Sequence, residues 1–328
     1  MYKYTVYIII FIYIIYKLIE YNSNSNSSNS NSNSDSNSDS ILISDSKFED
    51  KFINYIDYSN KYLDNYNNIY IDAPFSIMKK ININDNHVNS VPLNIYITWE
   101  NRKLPYNMYK NLMMLSLLNP EFNIYLYNPE DRLKFIQEYF DKDVVDAYNS
   151  LIPGSFKADV FKYGVIYKLG GVYMDIKYIT HYSLIKLIND NPVQFAEQRT
   201  DVCNDPTIID AIMSGFFISP PNNKIFLYTI NEIVLKCKNK DYGRYVTDIT
   251  GPCVLTRNIN KIRNEDKSND VATMSWDATD TNDFFYIKNT DILILSRYKE
   301  YRTDQFNFFK NNKMVDYREA WKNRTVFV

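Results

Sequence analysis

The chain alternates between the hydrophobic period of a strand and that of a helix through its middle part. Leu93–Trp99 and Phe122–Tyr127 alternate apolar and polar residues with a period of two, which predicts two strands. Between them, Pro105–Leu118 has the spacing of a helix. A further helix is predicted to begin at Pro129, because proline is favoured in the first turn and two acidic residues follow it. This order predicts an α/β domain with a largely parallel sheet, and such sheets bind ligands at the carboxyl ends of their strands.

The segment 153–180 carries the strongest local pattern, since it holds four of the seven glycines of the whole chain. A helix is predicted there by an apolar stripe at positions i, i+4, i+7 and i+11, formed by Phe156, Val160, Tyr163 and Tyr167. Gly170 and Gly171 then supply the left-handed conformation that ends a helix. Val172–Lys177 follows as a strand that finishes in charged residues. A buried strand that ends in a carboxylate beside a glycine-closed helix suits the binding of a cation or a polar ligand.

Charged residues of this segment are candidate site residues, and each has a plain structural alternative. Asp159 and Lys162 lie one helical turn apart at the edge of the apolar stripe, so both can face the same cleft. The alternative for this pair is an ion pair on the protein surface. Asp175 lies in the charged end of the strand, where a carboxylate is also common as a turn residue.

The first ninety residues are predicted to be distinct from the α/β domain. Residues 1–21 contain an almost continuous apolar and aromatic stretch, Tyr4–Tyr16, which is short for a bilayer span of about 20 residues. Because no small-residue cleavage site follows, we expect an uncleaved signal anchor; a removed signal peptide and a segment packed on the domain are the alternatives. Residues 22–46, rich in Ser and Asn, are predicted to be a disordered tether. Residues 47–90 are predicted to form a stem, and 91–328 the globular domain.

The composition excludes several classes of function. The chain has 37 Lys and Arg against 39 Asp and Glu, a net charge of −2, which gives no basis for a nucleic-acid partner. Two histidines, His87 and His181, are too few for a multi-histidine metal cage, and neither lies in a nucleophile motif. The cysteines are three in number and widely spaced, so we expect ordinary thiols rather than a disulfide framework or a zinc site. They are Cys203, Cys237 and Cys253.

Seven short motifs follow one another in a specific order along the second part of the chain. They are Val91–Trp99, Asn119–Glu121, Tyr127–Asp131, Ala158–Tyr163, Leu169–Asp175, Ser219–Pro221 and Thr250–Pro252. Their order resembles glycosyltransferase family 32, the sugar transferases with a DXD-type region that are related to yeast initiating mannosyltransferases and, more distantly, to the glucosylating clostridial toxins. The Asn-, Ile- and Lys-rich composition, together with the tether, indicates a giant-virus member.

This resemblance implies a GT-A-like, Rossmann-type domain whose mixed, mostly parallel sheet is flanked by helices. It implies retaining transfer of a sugar from a nucleotide-diphosphate donor, GDP-mannose or a UDP-hexose, to a hydroxyl group of a glycan or glycoprotein. On this basis we assign catalytic roles to Asp159, Asp175 and Lys177. The donor is expected to contact Trp99, Asp159, Lys162, Tyr163, Gly170, Gly171 and Asp175. Trp99 offers a face on which the nucleobase stacks, and its alternative is a core aromatic residue at a strand end.

Three departures from the family pattern concern the metal site. Lys177 stands where the second aspartate of the DXD motif is expected, Lys162 replaces an arginine, and Tyr317–Trp321 lacks a histidine that is common there. A protonated lysine cannot ligate a metal ion. One hypothesis is that Lys177 itself provides the positive charge against the diphosphate. The other is that Mn²⁺ or Mg²⁺ is held by Asp175, Glu319 and oxygens of the donor.

Because a lysine replaces the second aspartate of the DXD motif, more than one class of function remains open. A degenerate protein that binds a nucleotide sugar or glycan without transferring it is the alternative to the enzyme. A structural or interaction protein, whose anchor and tether matter more than its fold, is a third interpretation. The expected location is a membrane, with a single-pass type II orientation and a lumenal domain, in the host secretory pathway or at a viral factory or virion.

Overall fold

The computed structural model describes residues 70–79, 87–198, 202–203, 205, 208, 211–265, 272–278 and 282–328. All of these residues belong to one compact unit, Tyr58–Val328. The predicted anchor and tether, and residues 47–69 of the predicted stem, lie outside the described residues. Among the helices of the described part, none has the length and apolar character needed to cross a membrane.

Strands and helices alternate through the first half of the described chain, as the sequence predicts. The strands are β1 (Tyr70–Asp72), β2 (Ser76–Ile77), β3 (His87–Val88), β4 (Val91–Pro92), β5 (Asn94–Thr98), β6 (Lys103–Pro105), β7 (Asn123–Tyr127), β8 (Gly171–Met174), β9 (Tyr178–Thr180), β10 (Gln194–Gln198), β11 (Ala211–Ser219), β12 (Ala272–Ala278), β13 (Asp283–Ile287) and β14 (Leu293–Arg297). The helices are α1 (Tyr106–Leu118), α2 (Pro129–Tyr139), α3 (Lys142–Ser150), α4 (Gly154–Leu169), α5 (Leu184–Asp190), α6 (Lys224–Lys238), α7 (Pro252–Glu265), α8 (Tyr301–Asn311) and α9 (Tyr317–Lys322). A short 3₁₀ helix covers Val246–Asp248.

Ten of these strands form one mixed sheet in the order β2-β7-β5-β8-β11-β10-β12-β13-β14-β9. β5 is parallel to both β7 and β8, and β10 is parallel to β12. The other neighbouring pairs of this sheet are antiparallel. The predicted α/β fold with a mixed sheet is therefore confirmed, but parallel pairing is less frequent than the sequence predicts. One reason is that only a few residues separate β12 from β13 and β13 from β14, and connections this short allow only antiparallel neighbours.

The sheet separates two apolar cores, and side chains of β8 alternate between them. Val172 and Met174 face the core that contains α1 and α5, whereas Tyr173 faces the core that contains α4, α6 and α7. Successive strand residues point to opposite faces, which explains this division. As a consequence, α4 lies on the same face of the sheet as Tyr173. This arrangement of parallel β7, β5 and β8 with helices on both faces is the one that the GT-A-like expectation requires.

Helix α4 confirms the predicted helix and its glycine stop. Gly170 has a φ of 64°, and its N–H donates to the carbonyl oxygen of Ile166 at 2.9 Å. Burial extends well beyond the predicted apolar stripe, because the charged Asp159 and Lys162 are buried as well. The surface-pair alternative for these two residues is therefore wrong, since neighbouring elements cover the helix on more than one face.

The first strands of the described chain fall within the predicted stem, residues 47–90. β1 pairs with β6, and β2 pairs with β7 at the edge of the large sheet. This part of the segment is therefore built into the folded domain that the sequence analysis begins at residue 91.

The cysteine prediction is wrong for two of the three residues. Cys203 and Cys253 form a disulfide across a sequence separation of 50 residues, whereas Cys237 is a buried free thiol. The spacing of the cysteines along the sequence does not indicate this disulfide, because the two residues meet only when the chain before β11 packs on the first turn of α7. The Thr247 hydroxyl lies 3.1 Å from the sulfur of Cys253 and donates to the carbonyl oxygen of Val202, so the link is reinforced by hydrogen bonds.

We expect that opening this disulfide lowers the free energy of unfolding by about 2–4 kcal/mol, because a cross-link of this span restricts the unfolded chain. Thermal unfolding of the wild type with and without a reductant measures the effect. The Cys203→Ala/Cys253→Ala variant is the control, and its unfolding midpoint should not respond to the reductant. A wild type whose midpoint is equally insensitive, with both thiols open to alkylation, would contradict the assignment.

Candidate active site

The carboxyl ends of β5 and β8 meet at one edge of the sheet. These strands are parallel neighbours, with Ile95 opposite Val172 and Tyr96 opposite Tyr173. Trp99 directly follows β5, which ends at Thr98, and Asp175 directly follows β8, which ends at Met174. The predicted binding edge of the α/β sheet therefore carries two of the candidate residues.

Asp175 and Lys177 form an ion pair at this edge. The Lys177 ammonium donates to Asp175 Oδ2 at 2.7 Å, and the Tyr173 hydroxyl donates to Asp175 Oδ1 at 3.0 Å. β8 ends at Met174 instead of continuing to Lys177 as predicted, because the chain turns and the Tyr178 N–H donates to the Asp175 carbonyl at 3.1 Å. A turn, and not the alternation of a regular strand, brings the two side chains together.

A glycine on the neighbouring strand leaves room for the Asp175 carboxylate. The Asp175 N–H donates to the carbonyl oxygen of Gly215 at 2.8 Å. A Cβ atom on Gly215 would stand 2.8 Å from Asp175 Oδ2 and would force the carboxylate to move. Gly215 therefore helps to position the carboxylate, a role that no sequence motif indicated.

A second ion pair, Asp159–Lys162, lies beside the first and is more deeply buried. The Lys162 ammonium contacts Asp159 Oδ1 and donates to the Ser214 hydroxyl at 3.2 Å. The Thr250 hydroxyl donates to Asp159 Oδ2 at 2.6 Å. The Asp159 and Lys162 side chains are 12% and 6% exposed, against 28% and 21% for Asp175 and Lys177. An incoming ligand therefore reaches the Asp175–Lys177 pair first.

The four charged groups influence one another electrostatically. Burial acts to raise the pKa of Asp175, but the ammonium groups of Lys177 and Lys162 outweigh it and hold that pKa below its ordinary value. Burial likewise opposes the charge on Lys177, yet the Asp175 carboxylate holds the pKa of Lys177 well above its ordinary value. For Asp159, burial dominates over the ammonium group of Lys162 and raises the pKa. We name these four residues the charged tetrad: the inner pair Asp159–Lys162 and the more exposed outer pair Asp175–Lys177.

Trp99 lies at the same edge of the sheet but is covered by aromatic rings. Its ring centroid is 6.4 Å from that of Tyr301, 5.3 Å from Phe308 and 6.1 Å from Phe309. This packing is what the core-aromatic interpretation of Trp99 describes. A nucleobase can stack on the indole only if the α8 rings move away from it. Within the described part of the chain, the indole N–H of Trp99 is buried and has no hydrogen-bond acceptor.

Two tyrosines near the carboxyl end of the chain border the tetrad, and sequence reasoning missed both. Burial raises the pKa of Tyr301 to about 12, and the charges of Lys177 and Asp175 also act on that hydroxyl. Tyr317 packs edge-on against Phe156 at 5.8 Å, and burial raises its pKa with smaller contributions from Lys177 and Asp159. No motif marks these tyrosines, because α8 and α9 come close to the tetrad only through the tertiary fold.

Three of the predicted donor contacts, Gly170, Gly171 and Tyr163, have packing roles in this structure. A Cβ on Gly171 would stand 2.6 Å from the carbonyl oxygen of Asn94, and one on Gly170 would meet Pro221 at the same distance. Gly171 begins β8 and Gly170 directly precedes it, so they lie roughly 13 and 16 Å from Asp175 at about 3.3 Å per strand residue. Tyr163 is fully buried beside the inner pair, and its hydroxyl donates to the Gly251 carbonyl oxygen at 3.4 Å. The structure does not bring the two glycines to the site.

The residues at this site, as arranged, do not fit a divalent metal ion. Both carboxylate oxygens of Asp175 already have donors, and an ammonium group occupies the position of the second acid. Glu319 lies exposed on α9, 3.8 Å from the Lys322 ammonium. Among the residues that the structure describes, no group of three or more His, Cys, Asp or Glu side chains is placed to hold a metal. The predicted Mn²⁺ or Mg²⁺ site on Asp175 and Glu319 therefore has no preformed ligand set here.

Residues 105–194 match the family model described as "Glycosyltransferase sugar-binding region containing DXD motif". The match covers a little over a quarter of the chain, from α1 to the start of β10, and includes the whole charged tetrad. Regions of this family typically depend on a divalent metal, which makes the lysine at the second acidic position unusual. The matched region supports sugar transfer as the general class of activity.

A solved structure named "PaToxG Glycosyltransferase" is similar to this chain, with a TM-score of 0.41 and 14% identity. The similarity covers 67% of this chain and 80% of that chain. No curated protein matches the chain by sequence.

Proposed function

We propose that this protein is a retaining glycosyltransferase that moves a sugar from a nucleotide-diphosphate donor, GDP-mannose or a UDP-hexose, to a hydroxyl group of a glycan or glycoprotein. The observation that carries this proposal is the charged tetrad at the carboxyl edge of the sheet. Its residues come from a segment that matches a sugar-binding region, and its outer pair is accessible from solvent. A site of this kind suits the transfer of a group from a diphosphate, because few side chains must react covalently.

The lysines act on the leaving group. The Lys177 ammonium is partly exposed and can donate a second N–H to a diphosphate oxygen while it stays paired with Asp175. The buried Lys162 ammonium lies behind it, and its charge also acts on Asp175. Asp175 keeps Lys177 in place and accepts a hydrogen bond from a hydroxyl group of the donor. Asp159 holds Lys162 and, on the family resemblance, faces the donor sugar.

The reaction itself needs no side-chain base in this proposal. The bond between the anomeric carbon and the phosphate oxygen breaks, and the acceptor oxygen bonds to the anomeric carbon on the same face of the sugar. The acceptor hydroxyl passes its proton to the oxygen of the departing diphosphate. Protons and charge then balance without a further group, which is why no residue is assigned as a general base.

One observation favours a second candidate function. Because Lys177 neutralises Asp175 and the described residues place no metal ligand set around them, the fold also suits a degenerate protein that binds a nucleotide sugar or glycan without transferring it. Binding and turnover measured on the same preparation distinguish the two functions.

The test is a panel of nucleotide sugars offered to the full-length chain, purified in a mild detergent because of its apolar residues 4–16. Thermal shift reports binding, and release of UDP or GDP reports slow hydrolysis, each with and without Mn²⁺. We expect one donor to raise the unfolding midpoint and to be hydrolysed. Saturable binding without release of nucleotide would establish the binding protein instead, and no response to any donor would contradict both functions.

We also propose the location given by the sequence, a single-pass type II membrane protein with a lumenal domain. The Cys203–Cys253 disulfide supports this proposal, since disulfides persist mainly in oxidising compartments. Digestion of the domain by protease added outside sealed microsomes would contradict it.

A further inference from the structure

The Asp175–Lys177 pair occupies the place where a metal-dependent DXD motif has two acids. Asp175 Oδ2 lies 2.7 Å from the Lys177 ammonium, and Asp175 Oδ1 accepts from Tyr173 at 3.0 Å. Divalent cations such as Mg²⁺ and Mn²⁺ prefer carboxylate, carbonyl and water oxygens, and a lysine offers none of these. The Lys177 ammonium therefore places a positive charge at the position where a metal would otherwise supply it.

The backbone holds Lys177 firmly, while its ammonium remains accessible. The Tyr178 N–H donates to the Asp175 carbonyl at 3.1 Å, and the Tyr298 N–H donates to the Lys177 carbonyl at 3.0 Å. The ammonium lies 4.8 Å from the centroid of the Tyr178 ring, whose face is attractive to a cation. Because the side chain is 21% exposed, an arriving diphosphate can reach it.

The charge balance of the tetrad also favours a lysine over a metal. Two carboxylates and two ammonium groups sum to no net charge, and both pairs are in contact. A divalent cation added beside Lys177 would be repelled by that ammonium and would have to displace it from Asp175. A diphosphate, in contrast, brings negative charge that the partly exposed Lys177 ammonium can contact directly.

From this geometry we propose that the Lys177 ammonium replaces the divalent cation against the donor diphosphate, so that the protein binds its nucleotide without a metal. This inference rests on the proposed function, since it concerns the same donor site. Lys177 is well suited to the role because an ammonium is a compact point charge that contacts phosphate oxygens directly.

The inference is tested by converting the motif back to two acids. The variant Lys177→Asp recreates an acid at each DXD position, and Lys177→Met removes the charge while keeping the length of the side chain. Lys142→Met is the matched control, because Lys142 forms an exposed ion pair with Asp146 on α3, away from the site. Isothermal titration with UDP and GDP is performed on the full-length chain of each variant, in EDTA and again with Mn²⁺. Electron paramagnetic resonance measures Mn²⁺ binding separately.

We expect the wild type and Lys142→Met to bind one nucleotide equally well in both conditions. Lys177→Met should bind about tenfold or more weakly in both, the loss expected for one charged contact. Lys177→Asp should bind weakly in EDTA, recover with Mn²⁺, and bind Mn²⁺ where the wild type does not.

The possible negative results distinguish a failure of this inference from a failure of the proposed function. Wild-type binding that is lost in EDTA and restored by Mn²⁺ would overturn the inference and leave the proposed function intact. Wild-type affinity retained in Lys177→Met would overturn the inference in the same way, even if Lys177→Asp fails to fold. An absence of UDP and GDP binding by the wild type in every condition would overturn the proposed function and this inference together.

Discussion

The Asp175→Asn variant is expected to lose sugar transfer by about a thousandfold or more, which corresponds to about 4 kcal/mol of additional barrier. Asparagine keeps the shape of the side chain but removes the negative charge that holds the Lys177 ammonium at 2.7 Å. The cation is then no longer placed where charge develops on the leaving diphosphate, and placement of that charge is a large part of catalysis in such sites. Steady-state release of nucleotide and transfer to acceptor measure the loss.

The fold should survive this change, because the outer pair is partly exposed and a freed Lys177 can be hydrated. We expect the free energy of unfolding to fall by about 1 kcal/mol or less, as for other partly exposed ion pairs. Asp146→Asn is the matched control, since it removes the acid of the exposed Lys142–Asp146 pair. A folded Asp175→Asn protein with the kcat/KM of the wild type would remove Asp175 from the mechanism.

The Asp159→Asn variant is expected to be the most destabilising single change in the tetrad. It leaves the Lys162 ammonium, whose side chain is 6% exposed, without the carboxylate that contacts it. The ammonium still donates a hydrogen bond to the Ser214 hydroxyl. Removing one partner of a buried ion pair costs about 3–5 kcal/mol of unfolding free energy, because the other charge stays buried. Urea unfolding at neutral pH measures this loss.

A double variant separates the structural role of this pair from its functional one. Asp159→Asn combined with Lys162→Met removes both charges and should regain most of the lost stability, since a neutral pair of similar volume fits a buried site well. Activity should stay low, because the Lys162 ammonium, whose charge acts on Asp175, is gone. Full activity in the restabilised double variant would mean that the inner pair serves the fold alone.

The elements that form the site could be predicted from sequence because each has a strong local signal. The stripe of α4, its glycine stop and the apolar run of β8 are patterns within about twenty residues, and the structure places all three as expected apart from the early end of β8. The capping box of α2 is similar, since Asn128 accepts from the Asp131 N–H next to the predicted start at Pro129.

The contacts that complete the site could not be predicted, because they join segments far apart in the chain. Ser214 and Thr250 reach the inner pair from β11 and from the turn before α7. Tyr301 reaches the outer pair from α8. Such contacts depend on how the helices and strands pack, and they produce no periodic pattern in the sequence.

The two glycines and the disulfide show the same dependence on packing between distant segments. Gly170 and Gly171 belong to a motif for which the family resemblance implies donor contacts, and in the structure they allow close packing of a strand and a helix end. The Cys203–Cys253 disulfide cannot be predicted from the sequence, because three cysteines allow three different pairs and their spacing favours none of them.

The central claim is that the tetrad receives the diphosphate of a sugar nucleotide, and a crystal structure with bound UDP or GDP in the presence of EDTA tests it most directly. The account predicts the diphosphate within hydrogen-bonding distance of the Lys177 ammonium, at the edge where β5 and β8 end, with no metal between them. A nucleotide bound elsewhere, for example in the charged cleft lined by Lys236, Arg244 and Arg257, would contradict it.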